Sequence, residues 1–149
     1  MLVILCGPPA TGKTTLARSL RDRLAAHGYE FDSLHSDDFN RRTYERMSER
    51  VSEAEGDRNW IFDGTFFRRR HRERFRRLED HCYVVRVRAS LETSLRRNRD
   101  RESSIDERGA HVMYAEFEPP RADLTLDTDD LSEKEALDRL EAAVVGWLE

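Results

Sequence analysis

The chain has 149 residues, of which 38% are charged and 38% apolar, and its formal net charge is −4. This length predicts a single domain (residues 1–149) and excludes tandem modules, and the apolar fraction excludes wholesale disorder. The apolar run at residues 1–6 is too short for a signal peptide or a membrane span, so we expect a cytoplasmic protein without membrane contact.

Apolar runs alternate with helical periodicity along the whole chain. In chain order, the pattern first predicts a strand at 2–6, a loop, a helix that ends near Gly28, a strand at 30–36 and a helix at 38–55. It then predicts a strand at 59–63, an arginine-rich helix at 66–80, a strand at 82–87 and a helix at 90–98. A charged stretch at 99–108, a helical segment that ends at Pro119, a strand at 123–127 and an amphipathic closing helix follow.

This alternation predicts a three-layer α/β fold, with a parallel sheet of about five strands and helices on both faces. Ligands of such sheets bind beyond the carboxyl ends of the strands. Polar residues that directly follow a strand are therefore candidates for the functional site. The two cysteines, Cys6 and Cys82, lie in apolar runs without metal-ligand spacing, so we expect buried thiols.

The segment from Gly7 to Thr14 fits the phosphate-binding pattern G-x-x-x-x-G-K-[ST] and lies between a predicted strand and a predicted helix. Its glycines allow backbone N–H groups to surround a phosphate, and the helix directs its positive dipole end at the same anion. Lys13 is expected to bridge the β- and γ-phosphates of ATP, and Thr14 to hold Mg²⁺. The predicted nucleotide-binding residues are Gly7, Pro8, Pro9, Ala10, Thr11, Gly12, Lys13, Thr14 and Thr15.

Missing motifs narrow the class of phosphate-loop protein. The only other lysine, Lys134, lacks the Asn and Asp of the guanine-binding N-K-x-D element, and there is no L-S-G-G-Q transporter signature. Large ATPase motors need a longer chain. These absences favour a small kinase.

Two adjacent acids, Asp37 and Asp38, follow the second predicted strand. One carboxylate can accept the proton of an acceptor hydroxyl, while the other orients a magnesium-bound water or caps the next helix. The alternative is a helix cap only. We expect catalysis from Asp37 in particular.

A third acid, Asp63, ends the apolar strand at 59–63 and is followed by Gly64 and Thr65. An acid in this position is expected to face magnesium or the acceptor. The alternative is a turn or cap residue.

The basic run Arg68–Arg77 contains seven arginines and one glutamate, whereas residues 127–141 carry seven acids against two bases. A run of net charge +6 would suit a polyanionic acceptor. The alternative is a solvated helix face, because charge runs usually lie in water.

Nearer the carboxyl end, Arg97 and Arg101 lie four residues apart in a short arginine-rich lid predicted at 96–108. Both are expected to close on the triphosphate.

Several of these segments together resemble the small P-loop kinases, in particular the polynucleotide 5′-kinases and seryl-tRNA kinases. They are Gly7–Thr15, Ser36–Phe39, Asp63–Thr65 with the following arginines, and Arg97-Asn98-x-x-Arg101. The segment Phe117–Pro120 with 123–127 is also similar to seryl-tRNA kinases and adenylylsulfate kinases. The resemblance implies a P-loop NTPase fold, ATP as donor, Asp37 as general base, Lys13 and Arg101 as charge stabilisers and Thr14 as magnesium ligand.

The sequence therefore predicts an ATP- and Mg²⁺-dependent kinase that acts on a hydroxyl-bearing, anionic acceptor, with a nucleic-acid 5′-hydroxyl or a nucleotide-like small molecule favoured. The predicted catalytic residues are Lys13, Asp37, Arg97 and Arg101. The predicted acceptor-binding residues are Asp38, Arg41, Asp63, Thr65 and Arg69. The alternative is a nucleotide-binding regulator or partner-binding ATPase that docks an acidic partner through the Arg68–Arg77 helix. A nucleic-acid-binding module without catalysis is disfavoured by the net negative charge.

Overall fold

The structure, a computed structural model, describes residues 1–100 and 106–149. These residues form five strands and six α-helices, which alternate except that α4 and α5 follow one another. The strands are β1 (Leu2–Cys6), β2 (Phe31–His35), β3 (Asn59–Gly64), β4 (Cys82–Arg88) and β5 (Leu124–Asp127). The α-helices are α1 (Lys13–Ala26), α2 (Thr43–Glu53), α3 (Arg69–Leu78), α4 (Leu91–Arg99), α5 (Glu107–Glu116) and α6 (Glu133–Leu148).

The strands form one parallel sheet in the order β2-β3-β1-β4-β5. Because β1 is central and covered on both faces, all five of its residues are apolar and buried. Val3 and Leu5 face a core formed with α1 and α6. Ile4 and Cys6 face a second core, which includes residues of α2 and α3. The predicted three-layer α/β fold is confirmed.

The predicted helix at 38–55 is wrong at its start. A single 3₁₀ turn covers Ser36–Asp38, Phe39 is extended, and α2 begins only at Thr43. Arg42 adopts a left-handed conformation with φ 50°, which a continuous α-helix cannot contain. Asp37 and Asp38 consequently lie in a short turn at the end of β2 rather than in a long helix.

The arginine-rich helix also begins later than predicted. Phe66 has a positive φ of 44°, so α3 starts at Arg69 instead of residue 66. This left-handed turn is fixed on both sides, because the Phe66 N–H donates to the Tyr44 hydroxyl at 2.9 Å and its carbonyl accepts from Arg72 at 2.8 Å.

Cys6 is fully buried as expected, whereas Cys82 at the start of β4 is only partly buried. Burial raises the pKa of Cys6 to about 11 and that of Cys82 to about 12, so both thiols stay protonated at neutral pH. In the described part of the chain, no helix has the length and apolar character needed to cross a bilayer.

Candidate phosphate-transfer site

The loop between β1 and α1 is held in a curl that only certain residues allow. Gly7 packs so closely on β4 that a Cβ would lie 2.0 Å from the carbonyl oxygen of Val87. Gly12 has φ 97° and Ala10 has φ 60°, both in the left-handed region. The buried hydroxyl of Thr11 donates to the Pro8 carbonyl at 3.1 Å. The loop is thus shaped by its own backbone and by the neighbouring strand.

Lys13 is the first residue of α1 and is only 8% exposed. Its ammonium donates to the Pro8 carbonyl at 2.8 Å, so the side chain folds back across the loop. The amino end of α1 adds the positive end of a helix dipole at the same place. The structure therefore brings a positive charge and a helix amino end to the mouth of the loop, as a phosphate group requires.

Thr14 and Asp63 meet beside this loop. The Thr14 hydroxyl donates to Oδ2 of Asp63 at 2.7 Å, and Asp63 is only 4% exposed. A hydroxyl and a carboxylate oxygen are hard ligands of the kind that Mg²⁺ takes, and this ion needs few protein groups when phosphates and waters complete its shell. The residues present therefore fit a magnesium ion held with a bound nucleotide.

His35 is a member of this cluster that the sequence analysis missed. It lies opposite Asp63 in the register of β2 and β3, and its Nδ1 contacts Oδ1 of Asp63. Burial raises the pKa of Asp63 above its usual range, while the Thr14 hydrogen bond and the charges of His35 and Lys13 lower it in part. The one signal in the sequence was that His35 lies near the end of the strand predicted at 30–36, two residues before Asp37.

Asp37 is exposed in the 3₁₀ turn after β2. The negative charge of Asp37 raises the pKa of Asp63. The pKa of Tyr44 is raised to about 12, mainly by burial and in smaller part by the same charge. Asp37 is therefore close to both residues and faces solvent, where an acceptor can approach. Asp38 is also exposed and has no hydrogen-bonding partner within residues 1–100 and 106–149.

The turn after β3 positions Thr65 at the edge of the same region. Gly64 packs against the preceding turn, since a Cβ there would lie 2.6 Å from the Ser36 hydroxyl. Arg69 begins α3 and is exposed, and its backbone N–H donates to Glu118 at 3.0 Å. Arg41 is exposed in the loop before α2. Neither arginine contacts the Lys13–Asp63 cluster in the described residues.

Much of the basic run is engaged within the fold. Its intramolecular partners are Glu116 and Glu118 for Arg68, the Phe66 carbonyl for Arg72, Glu45 for Arg74 and the Arg121 carbonyl for Arg76. Arg70 and Arg77 are exposed and have no partner in the described part of the chain. The surface left for a polyanion is therefore smaller than the sequence alone indicates.

Arg97 reaches the phosphate loop through one intermediate residue. Its two terminal nitrogens donate to the hydroxyl and the carbonyl of Thr128 at 3.0 and 3.2 Å. The Thr128 hydroxyl in turn donates to the carbonyl of Thr11 at 3.2 Å. Arg97 thus links α4 to the nucleotide loop. Of the lid predicted at 96–108, residues 101–105, including Arg101, lie outside the described residues, so the lid and the catalytic roles of Arg97 and Arg101 stay predictions.

Solved structures share this fold over nearly the full chain. The protein in the crystal structure of APE1195 is 25% identical, with a TM-score of 0.77 and coverage of 100% of this chain and 96% of that one. Kti12 from Chaetomium thermophilum, solved with ADP-AlF3, is 16% identical with a TM-score of 0.74 and coverage of 97% and 99%. The APS kinase CysC from Mycobacterium tuberculosis, solved with AMPPNP and APS, is 18% identical with a TM-score of 0.72 and coverage of 99% and 96%.

A comparison with curated proteins finds no significant match. The narrower resemblance to polynucleotide 5′-kinases and seryl-tRNA kinases stays a prediction. The P-loop NTPase fold itself is established by the sheet order, the phosphate loop and the solved structures. A family model described as "AAA domain" matches residues 2–120, four-fifths of the sequence, and the chain belongs to that family.

Proposed function

We propose that this protein is a kinase that transfers the γ-phosphate of ATP, with Mg²⁺, to a hydroxyl group of an anionic acceptor. The observation that carries the proposal is the convergence of three features at the carboxyl end of the sheet. These are the buried Lys13 in the phosphate loop, the hydrogen-bonded pair Thr14–Asp63, and the exposed Asp37 beside that pair. A nucleotide-binding protein without transfer needs the first two features, whereas an exposed base beside them serves transfer.

Each residue has a distinct task in this reaction. Mg²⁺ bound with ATP supplies Lewis-acid polarisation of the phosphate oxygens. Thr14 and Asp63 would hold the ion, and His35 keeps the Asp63 carboxylate oriented. Lys13 neutralises charge on the phosphates.

Asp37 accepts the proton of the acceptor hydroxyl. The hydroxyl oxygen forms the new bond to the γ-phosphorus, the bond from that phosphorus to the β,γ-bridging oxygen breaks, and ADP leaves. Because phosphoryl transfer asks little covalent chemistry of the protein, positioning and charge compensation provide most of the acceleration.

The favoured acceptor is a nucleic-acid 5′-hydroxyl or a nucleotide-like small molecule. The exposed arginines near the acceptor side, including Arg41, Arg69 and Arg70, support an anionic acceptor. The solved structures with this fold include a gluconokinase from Sinorhizobium meliloti and the APS kinase, which supports phosphoryl transfer as the reaction class.

The decisive experiment is transfer from γ-labelled ATP with Mg²⁺ to 5′-hydroxyl oligonucleotides, nucleosides, adenylylsulfate and seryl-tRNA. We expect labelled product with one acceptor class, loss of that product in Asp37→Asn, and unchanged ATP binding in the same variant. Asp57→Asn is the matched control, since it removes an exposed carboxylate before β3, at the opposite end of that strand from Asp63.

Two results would contradict the proposal. Full activity of Asp37→Asn would exclude Asp37 as the base. ATP binding without product on any acceptor, together with capture of an acidic partner by the Arg68–Arg77 helix, would favour the regulator alternative.

A further inference from the structure

A second basic cluster, formed by Arg72 and Arg86, lies on the opposite side of β1 from the Thr14–Asp63 pair. Arg86 in β4 is adjacent to Cys6 in the register of the sheet. Its side chain is on the α2–α3 face, because residues alternate along a strand and Val85 and Val87 belong to the α1–α6 core. Nε of Arg86 is buried and has no hydrogen-bonding partner among residues 1–100 and 106–149. Buried donors without a partner are rare in folded proteins and costly when they occur.

Arg72 from α3 is the second member of this basic cluster. It is only 4% exposed, and its one described hydrogen bond goes to the Phe66 carbonyl. The guanidinium carbons of Arg72 and Arg86 lie 6.0 and 5.9 Å from the centre of the Phe117 ring. Within the described residues, no carboxylate forms an ion pair with either arginine. Both cations therefore lie against one aromatic ring without a direct carboxylate partner in the described chain, although the charges of Glu118 and Glu73 act on Arg72.

The Arg72–Arg86 cluster lies close to the phosphate loop. Burial raises the pKa of the Cys6 thiol, and the charges of Arg72, Lys13 and Arg86 lower it in part. All three cations are thus close to the same thiol, and Cys6 directly precedes the loop residue Gly7. An anion bound by the two arginines would lie on the acceptor side of the sheet, where α2 and α3 pack.

We propose that Arg72 and Arg86, which both lie against the Phe117 ring, bind an oxyanion of the acceptor. This oxyanion is either a phosphate or a carboxylate. The anion would satisfy the unpartnered Nε–H of Arg86, and the planar fork of a guanidinium matches two oxygens of one oxyanion. Binding there orients the acceptor so that its hydroxyl faces Asp37. This inference rests on the proposed kinase function and adds the group that the acceptor must carry.

The test uses the full chain saturated with Mg²⁺ and AMP-PNP, so that the phosphate loop is occupied. Inorganic phosphate and acetate are titrated separately by calorimetry at millimolar concentrations. We expect saturable binding of at least one anion, and the arm that binds identifies phosphate or carboxylate as the recognised group. Arg86→Met should weaken this binding about tenfold or more, because it removes charge-assisted hydrogen bonds.

Arg77→Met is the matched control, since it removes an exposed arginine without a partner in the described chain. It should bind the anion as the wild type does. Thermal unfolding separates a binding role from a packing role. Because Arg86→Met removes a buried donor without a partner, its Tm should be unchanged or higher than that of the wild type. If Arg86→Met does not fold, Arg86→Lys, which lacks the Nε–H, should show the same direction of loss.

The inference is overturned if neither anion binds, or if Arg86→Met or its substitute binds the anion as tightly as the wild type. Failure of AMP-PNP to bind the wild type is a separate result that counts against the kinase function. In that event, phosphate affinity is measured without nucleotide for the wild type and Arg86→Met. A difference between the two still shows whether the Arg72–Arg86 cluster binds anions.

Discussion

The proposed active region has a nucleotide side around Lys13 and an acceptor side around Asp37 and Arg86, and the two differ in how their polar groups are paired. On the proposed nucleotide side, Lys13 donates to the Pro8 carbonyl, and Thr14 donates to Oδ2 of Asp63. Oδ1 of Asp63 contacts Nδ1 of His35 but forms no hydrogen bond within the described residues. On the proposed acceptor side, Asp37 and Asp38 are exposed, and the buried Nε of Arg86 has no hydrogen-bonding partner in the described part of the chain. The buried groups of the proposed nucleotide side are therefore mostly held by contacts within the fold, whereas the proposed acceptor side has exposed carboxylates and a buried cation that a ligand can pair with.

This difference has a physical origin. A phosphate loop serves any nucleotide and is built from backbone geometry, a helix amino end and one lysine. An acceptor site discriminates between substrates, and it does so best with polar groups that stay unpaired unless the correct substrate binds. Substitutions on the nucleotide side should consequently affect reactions with every acceptor. Those on the acceptor side should change the preference among acceptors.

The largest expected effect is that of Lys13→Met. It removes the charge that faces the phosphates, so the rate of phosphoryl transfer should fall at least about a hundredfold. Lys134→Met is an apt control because these are the only two lysines in the chain, and Lys134 lies on the exposed surface of α6. Initial rates with labelled ATP measure both. A comparable loss in both variants would mean that the effect is general rather than located at the loop.

Asp63→Asn should separate stability from metal use. Burial raises the pKa of Asp63, so a neutral isostere relieves a desolvation cost and the Tm should not fall. The amide is a poorer ligand for magnesium and loses the charge that faces His35. The Mg²⁺ concentration for half-maximal activity should rise about tenfold or more. An unchanged magnesium requirement would place the ion elsewhere.

The nucleotide side was also the more predictable half from sequence. The phosphate loop is a local pattern, and its strand, loop and helix follow one another in the chain, so the positions of Lys13 and Thr14 at the start of α1 could be predicted directly. The pairing of His35 with Asp63 depends on β2 lying beside β3 in the sheet. Strand order is set by tertiary packing and cannot be predicted from any short segment of the sequence.

The acceptor side shows the same limit in two further residues. The start of α2 was mispredicted because the left-handed conformation of Arg42 has no glycine to signal it. Arg86 is one charged residue within an apolar strand, and only its surroundings reveal that Nε has no partner. Likewise, the link from Arg97 through Thr128 to Thr11 joins three distant segments of the chain.

A smaller effect, on stability, tests the backbone of the loop. Gly7→Ala would place its Cβ 2.0 Å from the Val87 carbonyl oxygen, and that backbone atom cannot move without disturbing β4. We expect a loss of about 1–3 kcal/mol in the free energy of unfolding, as for other overpacked sites. Gly109→Ala in α5 is the control, because a Cβ there meets open space. Since alanine favours a helix over glycine, this variant should gain about 0.5–1 kcal/mol. Chemical denaturation measures both, and equal effects would contradict the close packing of Gly7 on β4.

The smallest expected effect concerns pH and the acceptor-side helix α3. His71 stacks on Tyr44 with ring centres 4.2 Å apart, and its Nδ1 accepts the Arg68 N–H at 3.4 Å. Burial and the neighbouring arginines lower the pKa of His71 from 6.5 to about 4. Between these values the unfolded chain binds more protons than the folded one, so this residue makes stability fall as the pH drops from about 6.5 to about 4.

His71→Asn removes the titration, while its side-chain oxygen can still accept the Arg68 N–H. We expect its Tm to fall less than that of the wild type over the same pH interval, and His111→Asn, at an exposed histidine of α5, to follow the wild type. Thermal unfolding at half-unit pH steps gives the comparison. If His71→Asn loses stability on acidification as steeply as the wild type, then His71 does not hold α3 against α2 in its neutral form, and the acid sensitivity belongs to other groups of the protein.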